Sequence, residues 1–439
     1  MGRALLTDLY ELNMAASYLQ RGMTGPATFS LFIRGLPRGW GFFVASGLGP
    51  ALEWLRDLRF EEEDLAYLRG THGYPDDVLD RFRDLRFTGE VRAVPEGRVV
   101  FPNAPLLEVT APLPEAQLAE SFLLNQITYQ TAVASKAARC VLAAPDREMV
   151  DFSFRRVHGV DAGMAVARAT AIAGFAATSN VEAARLLGLR ATGTMAHSYI
   201  EAFVSEEAAF RAFAEDFPDS VVLLVDTYDT ARGVRTAIEV GRELEGRGLR
   251  LAAIRLDSGD LAVLARDARE ALDAAGLREV RIIASGGLDE HRVADLASAP
   301  IDAFGIGSKV GVASDAPYLD SVYKLVEYEG RPVVKLSTGK ATLPGRKQVW
   351  RTSGGDVVGL MHEPAPTGGE PLLVEVMRDG AIVGDHSLAA ARDRFRRERD
   401  WLPQALRALD ADPLAVRRTE ALDRLTERVR EEIRAGARG

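Results

Sequence analysis

The string Arg255-Leu256-Asp257-Ser258-Gly259-Asp260 puts a guanidinium and two carboxylates on one short stretch, and Asp226-Thr227-Tyr228-Asp229-Thr230 repeats the acidic theme upstream. Carboxylates so placed bind ribose hydroxyls or hold Mg2+ directly or through water, which makes Asp226, Asp257 and Asp260 candidate ligands. A helix cap by Ser258 or Asp260 explains one of these groups without explaining both. Gly286-Gly287, and Gly305 with Gly307 before Ser308, form two glycine turns where backbone N–H groups could approach a phosphate. Turns needed only for packing are the competing explanation. Arg155 and Arg156 follow the aromatic stretch Asp151-Phe152-Ser153-Phe154 and suit a carboxylate, a phosphate or an internal salt bridge. His197 stands among hydroxyl residues in Thr192-Gly193-Thr194-Met195-Ala196-His197-Ser198-Tyr199, as an acid, base or nucleophile would, or as a satisfied structural histidine. The other histidines show no paired metal-binding interval, which disfavours a zinc hydrolase. These residues point to an enzyme acting on a phosphorylated substrate and leave its reaction open.

Such groups need strands to end beneath them. Short apolar strands are expected at Met149–Phe154, Ala176–Ser179, Ala191–Met195, Val221–Asp226, Leu251–Leu256, Arg281–Ala284 and Ala303–Ile306. Helical patterns lie between them at 161–174, 180–187, 205–217, 231–245, 261–275 and 290–297. The rhythm fits an α/β barrel or an open parallel sheet, both of which bind ligands beyond their strand ends. Upstream, Thr7 or Asp8 can cap a helix carrying Leu9, Leu12, Ala16 and Leu19, with Glu11 at capping-box spacing from Asp8 and Tyr10 on another face. Residues 87–114 read as a small β-rich domain, and a long helix follows to Ala143. After Tyr318 short strands return, then a charged helical tail. The expected division is an N-terminal α+β part (1–145), an α/β barrel core (146–320) and a C-terminal β/α segment (321–439) packing on both.

The chain has 439 residues, 47% hydrophobic and 27% charged, enough for sizeable cores in two or three domains. A formal net charge of −9 argues against a general nucleic-acid surface, though a local basic pocket for phosphates remains compatible with it. The single cysteine, Cys140, excludes a disulfide framework and reads as a small buried helix residue. No apolar run reaches membrane-span length and no secretory signal is evident, so a cytoplasmic location is expected. Of six lysines, five (Lys309, Lys324, Lys335, Lys340, Lys347) fall in one late segment, as a phosphate site or an Arg-biased genome would produce.

Seven segments, in order, resemble the bacterial nicotinate phosphoribosyltransferases. They are Thr7–Met14 (Thr-Asp-Leu-Tyr-Glu-Leu-Asn-Met), Phe152–Gly159, Thr178–Val181, Gly193–His197, Arg255–Asp260, Gly305–Ser308 and the loop Lys335–Gln348. The resemblance implies an irregular or incomplete α/β barrel of the type II phosphoribosyltransferase kind, with an additional α+β domain assembled from N- and C-terminal segments, usually in a homodimer. It implies conversion of nicotinate, phosphoribosyl pyrophosphate, ATP and water to nicotinate mononucleotide, pyrophosphate, ADP and phosphate, with Mg2+, as the first step of NAD salvage from nicotinate. By the same resemblance His197 is the residue phosphorylated by ATP. Tyr10, Thr194 and Arg255 bind nicotinate, and Ser308 holds the ribose phosphate. Arg155, Asp257, Gly286, Gly287 and Gly307 are further site residues, and Lys340 and Lys347 meet phosphates, including those of ATP. The alternatives are a quinolinate phosphoribosyltransferase, whose product loses a carboxylate, and a catalytically silent metabolite-binding protein.

Overall fold

The runs Val221-Val222-Leu223-Leu224 and Ala303-Phe304-Gly305-Ile306 offer almost no polar side chain to water, as strands covered on both faces require, and both are largely buried. In the computed structural model, which describes residues 4–337 and 342–436, they belong to a seven-stranded parallel sheet. In chain order its strands are β1 (Glu148–Asp151), β2 (Ala177–Thr178), β3 (Arg190–Ala191), β4 (Val221–Leu224), β5 (Leu251–Leu256), β6 (Arg281–Ser285) and β7 (Ala303–Ile306). Their spatial order is β3-β2-β1-β7-β6-β5-β4, with every neighbouring pair parallel. This is the order met on walking round a barrel whose seam is left open between β3 and β4, so the fold is a curled, incomplete α/β barrel.

The intervening helices are Val160–Ile172, Val181–Leu187, Glu206–Asp216, Thr230–Gly246, Leu261–Ala274 and Glu290–Leu296, each within one or two residues of expectation. Five of the six start on a side chain that accepts a backbone N–H of the first turn: Asn180, Ser205, Asp229, Asp260 and Asp289. The third strand is shorter than expected. It pairs only at Arg190–Ala191, because β2, its one neighbour, is itself two residues long and gives Gly193 to Met195 no ladder to continue. β1 likewise stops at Asp151, and Phe154–Arg156 coils into a 3-10 turn.

These elements form one compact unit, Lys136–Asp315. Within it Lys136 and Arg139 reach the fully buried Glu290 at 2.9 and 3.0 Å, an arrangement in which losing one partner strands a buried charge. Cys140, on the same helix (Glu120–Ala143), is buried.

The other unit joins Met1–Ser135 to Ala316–Gly439. Its antiparallel sheet has the order Arg331–Pro332, Ser321–Tyr328, Pro26–Ile33, Pro105–Pro112, Glu90–Ala93, Val374–Arg378, Ala381–Ile382. Early and late segments are thus hydrogen-bonded neighbours, and Phe29 stacks on Tyr323 with ring centroids 4.8 Å apart. Residues 87–114 are therefore no separate domain. Two of their strands lie inside this sheet, and Val99–Val100 pairs with Phe43–Val44, because a hairpin with one apolar face needs partners to cover it.

The first helix, Leu9–Gln20, starts differently from expectation. Asp8 makes no side-chain cap, and Glu11 closes no capping box with it. Glu11 is instead buried, accepting from Thr7 Oγ1 at 2.6 Å and from the Ser121 N–H at 3.0 Å, with Ser121 Oγ also donating. Burial pushes its carboxyl up to about 7, although the Ser121 and Thr7 hydrogen bonds pull the other way. Among the described residues no helix is long and apolar enough to cross a membrane.

Candidate active site

β5 ends at Leu256, and Arg255, one residue before, is held from several sides. Its Nη1 donates to Thr194 Oγ1 at 2.8 Å and to the Met195 carbonyl at 3.4 Å. Nη2 meets Asp257 Oδ1 at 3.3 Å, and the guanidinium carbon lies 5.9 Å from the centre of the Phe152 ring. Its Nε is buried with no acceptor among the described residues. A guanidinium so fixed, with a donor unspent, suits a carboxylate that arrives with a ligand.

Asp257 is held in turn. Its Oδ1 accepts from Ser285 Oγ, and its N–H donates to Asp226 Oδ2 at 2.9 Å. Burial works to raise its pKa, but the Ser285 hydrogen bond, Arg255 and the neighbouring His197 outweigh it and keep the carboxyl below the usual range. Asp226 Oδ2 also accepts from Ser258 Oγ at 2.5 Å, while Oδ1 is buried without a partner among the described residues.

His197 opens the short helix His197–Glu201, on the connection that crosses the open seam from β3 to β4. Its Nδ1 lies 3.1 Å from Thr227 Oγ1, and no described residue engages Nε2. Tyr199 packs against Phe203 and Phe213, which ties this short helix to Glu206–Asp216. An imidazole with one nitrogen steadied and the other unspent can accept a phosphoryl group or a proton.

The glycine turns differ from each other. Gly286 has φ +95°, and a Cβ there would lie 2.0 Å from the Asp257 carbonyl oxygen, so the β5 and β6 loop ends approach as only glycine permits. Gly287 (φ +64°) has open space around it. Gly307 needs no left-handed backbone; a Cβ there would come within 3.0 Å of the Phe152 carbonyl. Ser308 is exposed, while neighbouring Lys309 is paired with Asp289 at 2.7 Å. β1 and β7 are adjacent, so the turn carrying Arg155 lies beside that of Ser308. Arg155 is exposed and forms no ion pair among the described residues.

Thr194, His197, Asp226, Arg255, Asp257 and Gly286 thus come together at strand ends of one unit. Asp260 does not share their bonds; its Oδ1 accepts from Ala262 and Val263 N–H groups as a helix cap. Asn180 is likewise a cap. The described residues hold no group of three or more His, Cys, Asp or Glu side chains able to bind a metal. Three contributors were not assigned roles from sequence: Thr227, Ser285 and Glu206. Both Glu206 carboxylate oxygens are buried without partners among the described residues, and burial raises its pKa, opposed by Arg232 and reinforced by Asp229 and Asp226. Thr227 lies inside the quoted Asp226–Thr230 string and Ser285 adjoins the Gly286-Gly287 turn, whereas nothing in the sequence marks Glu206.

In the other unit, Tyr10 is 45% exposed on its helix, and burial, then Glu120 and Glu11, shift its hydroxyl upward. Lys347 is buried, its ammonium on Glu108 at 3.1 Å and on the Leu343 and Gly345 carbonyls at 3.3 and 2.6 Å. Burial lowers its pKa against the pull of Glu108. Its three donors are spent, so the expected phosphate contact from Lys347 does not fit this arrangement. Lys340 lies outside the described residues.

Residues 5–128 match the nicotinate phosphoribosyltransferase N-terminal domain family, and residues 147–353 the nicotinate phosphoribosyltransferase family. The chain is 50% identical over 416 residues to nicotinate phosphoribosyltransferase pncB2 of Mycobacterium tuberculosis, covering 93% of this chain and 89% of that one. It is 44% identical to the Bacillus subtilis nicotinate phosphoribosyltransferase over 377 residues, covering 82% and 76% respectively. The crystal structure of human nicotinic acid phosphoribosyltransferase superposes with a TM-score of 0.87 at 30% identity, covering 96% of this chain and 99% of that one.

Proposed function

The chain belongs to the nicotinate phosphoribosyltransferase family, and from that premise we propose that it joins nicotinate to phosphoribosyl pyrophosphate, with ATP hydrolysis coupled through His197. The observation that carries this reading is the Arg255 guanidinium, fixed on Thr194 and Asp257 and hydrogen-bonded into the loop cluster that holds His197.

In the reaction the pyridine nitrogen forms a bond to the anomeric carbon as the bond to pyrophosphate breaks, and the leaving group takes the electron pair. Arg255 binds the nicotinate carboxylate and aims the ring; Thr194 and Asp257 hold the guanidinium in place. Arg155, Ser308 and the Gly286-Gly287 and Gly307 backbone receive phosphate oxygens, on which negative charge grows in the transition state. Tyr10 keeps the role that the resemblance gives it, contact with the pyridine ring. Asp226, whose Oδ1 has no partner among the described residues, would hold Mg2+ beside the pyrophosphate, where the ion would neutralise the charge growing on the leaving group. His197 takes the γ-phosphoryl of ATP, releasing ADP, and water later removes it as phosphate. Phosphorylation adds about two negative charges, which re-sorts the cations around them.

The reading includes a homodimer and a cytoplasmic location, the compartment in which ATP and phosphoribosyl pyrophosphate are made. Its test is an assay with phosphoribosyl pyrophosphate and nicotinate, nicotinamide or quinolinate, each with and without ATP. Nicotinate mononucleotide formed faster with ATP is the expected result. Release of CO2 from quinolinate without turnover of nicotinate would make the protein a quinolinate enzyme, and no turnover of any acid would leave a binding protein.

A further inference from the structure

A cavity of about 300 Å³ lies wholly within the unit formed by the chain's two ends, lined by Arg98, Arg351, Glu370, Arg394, Arg397, Glu398 and Trp401. The helix Leu388–Trp401 supplies Arg394, Arg397, Glu398 and Trp401, at spacings that put them along one face. The other groups come from the strands Lys347–Thr352 and Glu370–Pro371 and from the residue before Val99.

Part of this charge is internally matched. Arg98 pairs with Glu370 at 2.7 Å and with Glu398 at 2.7 Å; Arg351 pairs with Asp356 at 2.5 Å and with Glu398 at 3.0 Å. Those carboxylates answer Arg98 and Arg351. Among the described residues none of them forms an ion pair with Arg394 or Arg397, although Glu370 feels the Arg397 charge across space.

Arg394 Nε donates to the Glu96 carbonyl at 2.8 Å, but its Nη2 is buried with no acceptor among the described residues. Burial destabilises its charge, and Arg397 and Arg98 add repulsion to it; Glu96 and Asp385 oppose both effects. The Glu96 carboxylate is already engaged by the N–H groups of Gly47, Leu48 and Gly49, and Asp385 accepts from Ser387. Arg397 is exposed and forms no ion pair among the described residues. Two guanidiniums repelling each other beside an unspent buried N–H make a receptor for a multiply charged anion.

Trp401 adds a second recognition element. The Arg351 guanidinium carbon lies 4.3 Å from its ring centre, yet the side chain remains 38% exposed. A steadied indole at the mouth of a cationic cavity suits a planar ring that travels with the anion.

We propose that this cavity, which shares no lining residue with the strand-end cluster, is a second ligand site for a phosphate-bearing metabolite: the phosphate on Arg394 and Arg397, and a planar base, where present, against Trp401. It stands independently of the function proposed above. The cavity is the size of a small metabolite rather than of a macromolecular segment.

Trp401 is also the reporter. The chain's other tryptophans, Trp40, Trp54 and Trp350, are buried, so a change in indole fluorescence reports chiefly on this cavity. The full-length protein is titrated with inorganic phosphate and, separately, with adenosine monophosphate, by fluorescence and calorimetry. Saturable quenching is expected with at least one of them. Equal affinity assigns the site to the phosphate group, and tighter binding of the nucleotide assigns a role to its base. Arg394→Gln with Arg397→Gln should weaken binding about tenfold or more, with kcat for mononucleotide synthesis unchanged. Arg397→Gln alone changes only an exposed side chain and should weaken it about threefold or more without risk to folding. Trp401→Phe should abolish the fluorescence change while calorimetric phosphate binding survives. No saturable signal up to about 10 mM of either ligand, or unaltered affinity in the Arg397→Gln protein, would overturn the proposal.

Discussion

Gly286 and Asp257 stand so close that a Cβ on the glycine would lie 2.0 Å from the aspartate's carbonyl oxygen, and the glycine backbone there has φ +95°. The contact locks the ends of β5 and β6 together under the loop cluster. Gly286→Ala meets both the clash and the strained backbone, so it should cost about 2 kcal/mol or more of stability and displace Asp257. Thermal melts and kcat measured on the purified variant check this. A melt and a rate equal to the unmodified protein's would show that the loops tolerate separation.

The hydrogen bond between Thr227 and His197 Nδ1 gives a graded test of the phosphoryl-acceptor role. His197→Ala should abolish ATP-dependent labelling of the protein and the ATP stimulation of synthesis, leaving slow uncoupled turnover. Thr227→Val should keep the labelling but slow it about fivefold, the worth of roughly 1 kcal/mol from one hydrogen bond. ATP stimulation that persists in His197→Ala would remove the imidazole from the coupling.

Arg255 sets the choice between acid and amide. Arg255→Gln leaves a ligand carboxylate without its cation, a loss of roughly 2 to 5 kcal/mol, so KM for nicotinate should rise about thirtyfold or more. Nicotinamide, being neutral, should be affected far less, and the ratio of kcat/KM for the two measures the difference. A parallel loss for both would mean that the residue only supports the loop.

Glu11 predicts a pH signature. Its folded-state pKa of about 7 is above the ordinary carboxylate value, so the folded form favours the protonated acid. The stabilisation is complete below the unfolded pKa and is lost as pH rises through about 7. Glu11→Gln should therefore raise the melting temperature relative to the unmodified protein at pH 8, with the advantage shrinking as pH falls towards about 5. A difference between the two proteins that does not vary with pH would rule out a titrating Glu11.

Most of the barrel was legible because its strands are short apolar runs ended by Gly, Asp or Asn, and its helices begin at capping side chains that local sequence displays. The same local logic assembled Arg255, Asp257 and Gly286. It failed where a residue's partner is distant in sequence. Glu11 has the spacing of a capping box, yet its fate is decided by Ser121. Lys347 closes a Gly- and Lys-rich segment that reads as an exposed loop, yet it opens the strand Lys347–Thr352 and Glu108 draws it inside. Glu206 carries no motif at all, because what distinguishes it is the lack of a partner among the described residues, and such a lack has no letter in the sequence.

The sheet that joins the chain's two ends has a consequence for biogenesis. Pro26–Ile33 leaves the ribosome early, but its neighbour Ser321–Tyr328 is translated on the order of tens of seconds later. Throughout that interval one edge of an apolar strand waits unpaired, and by its end every strand of the parallel sheet has been translated. Nascent chains that end before Ser321 and are carried clear of the ribosome by an added linker should therefore protect the parallel sheet from protease and leave the early strands for chaperones to shield.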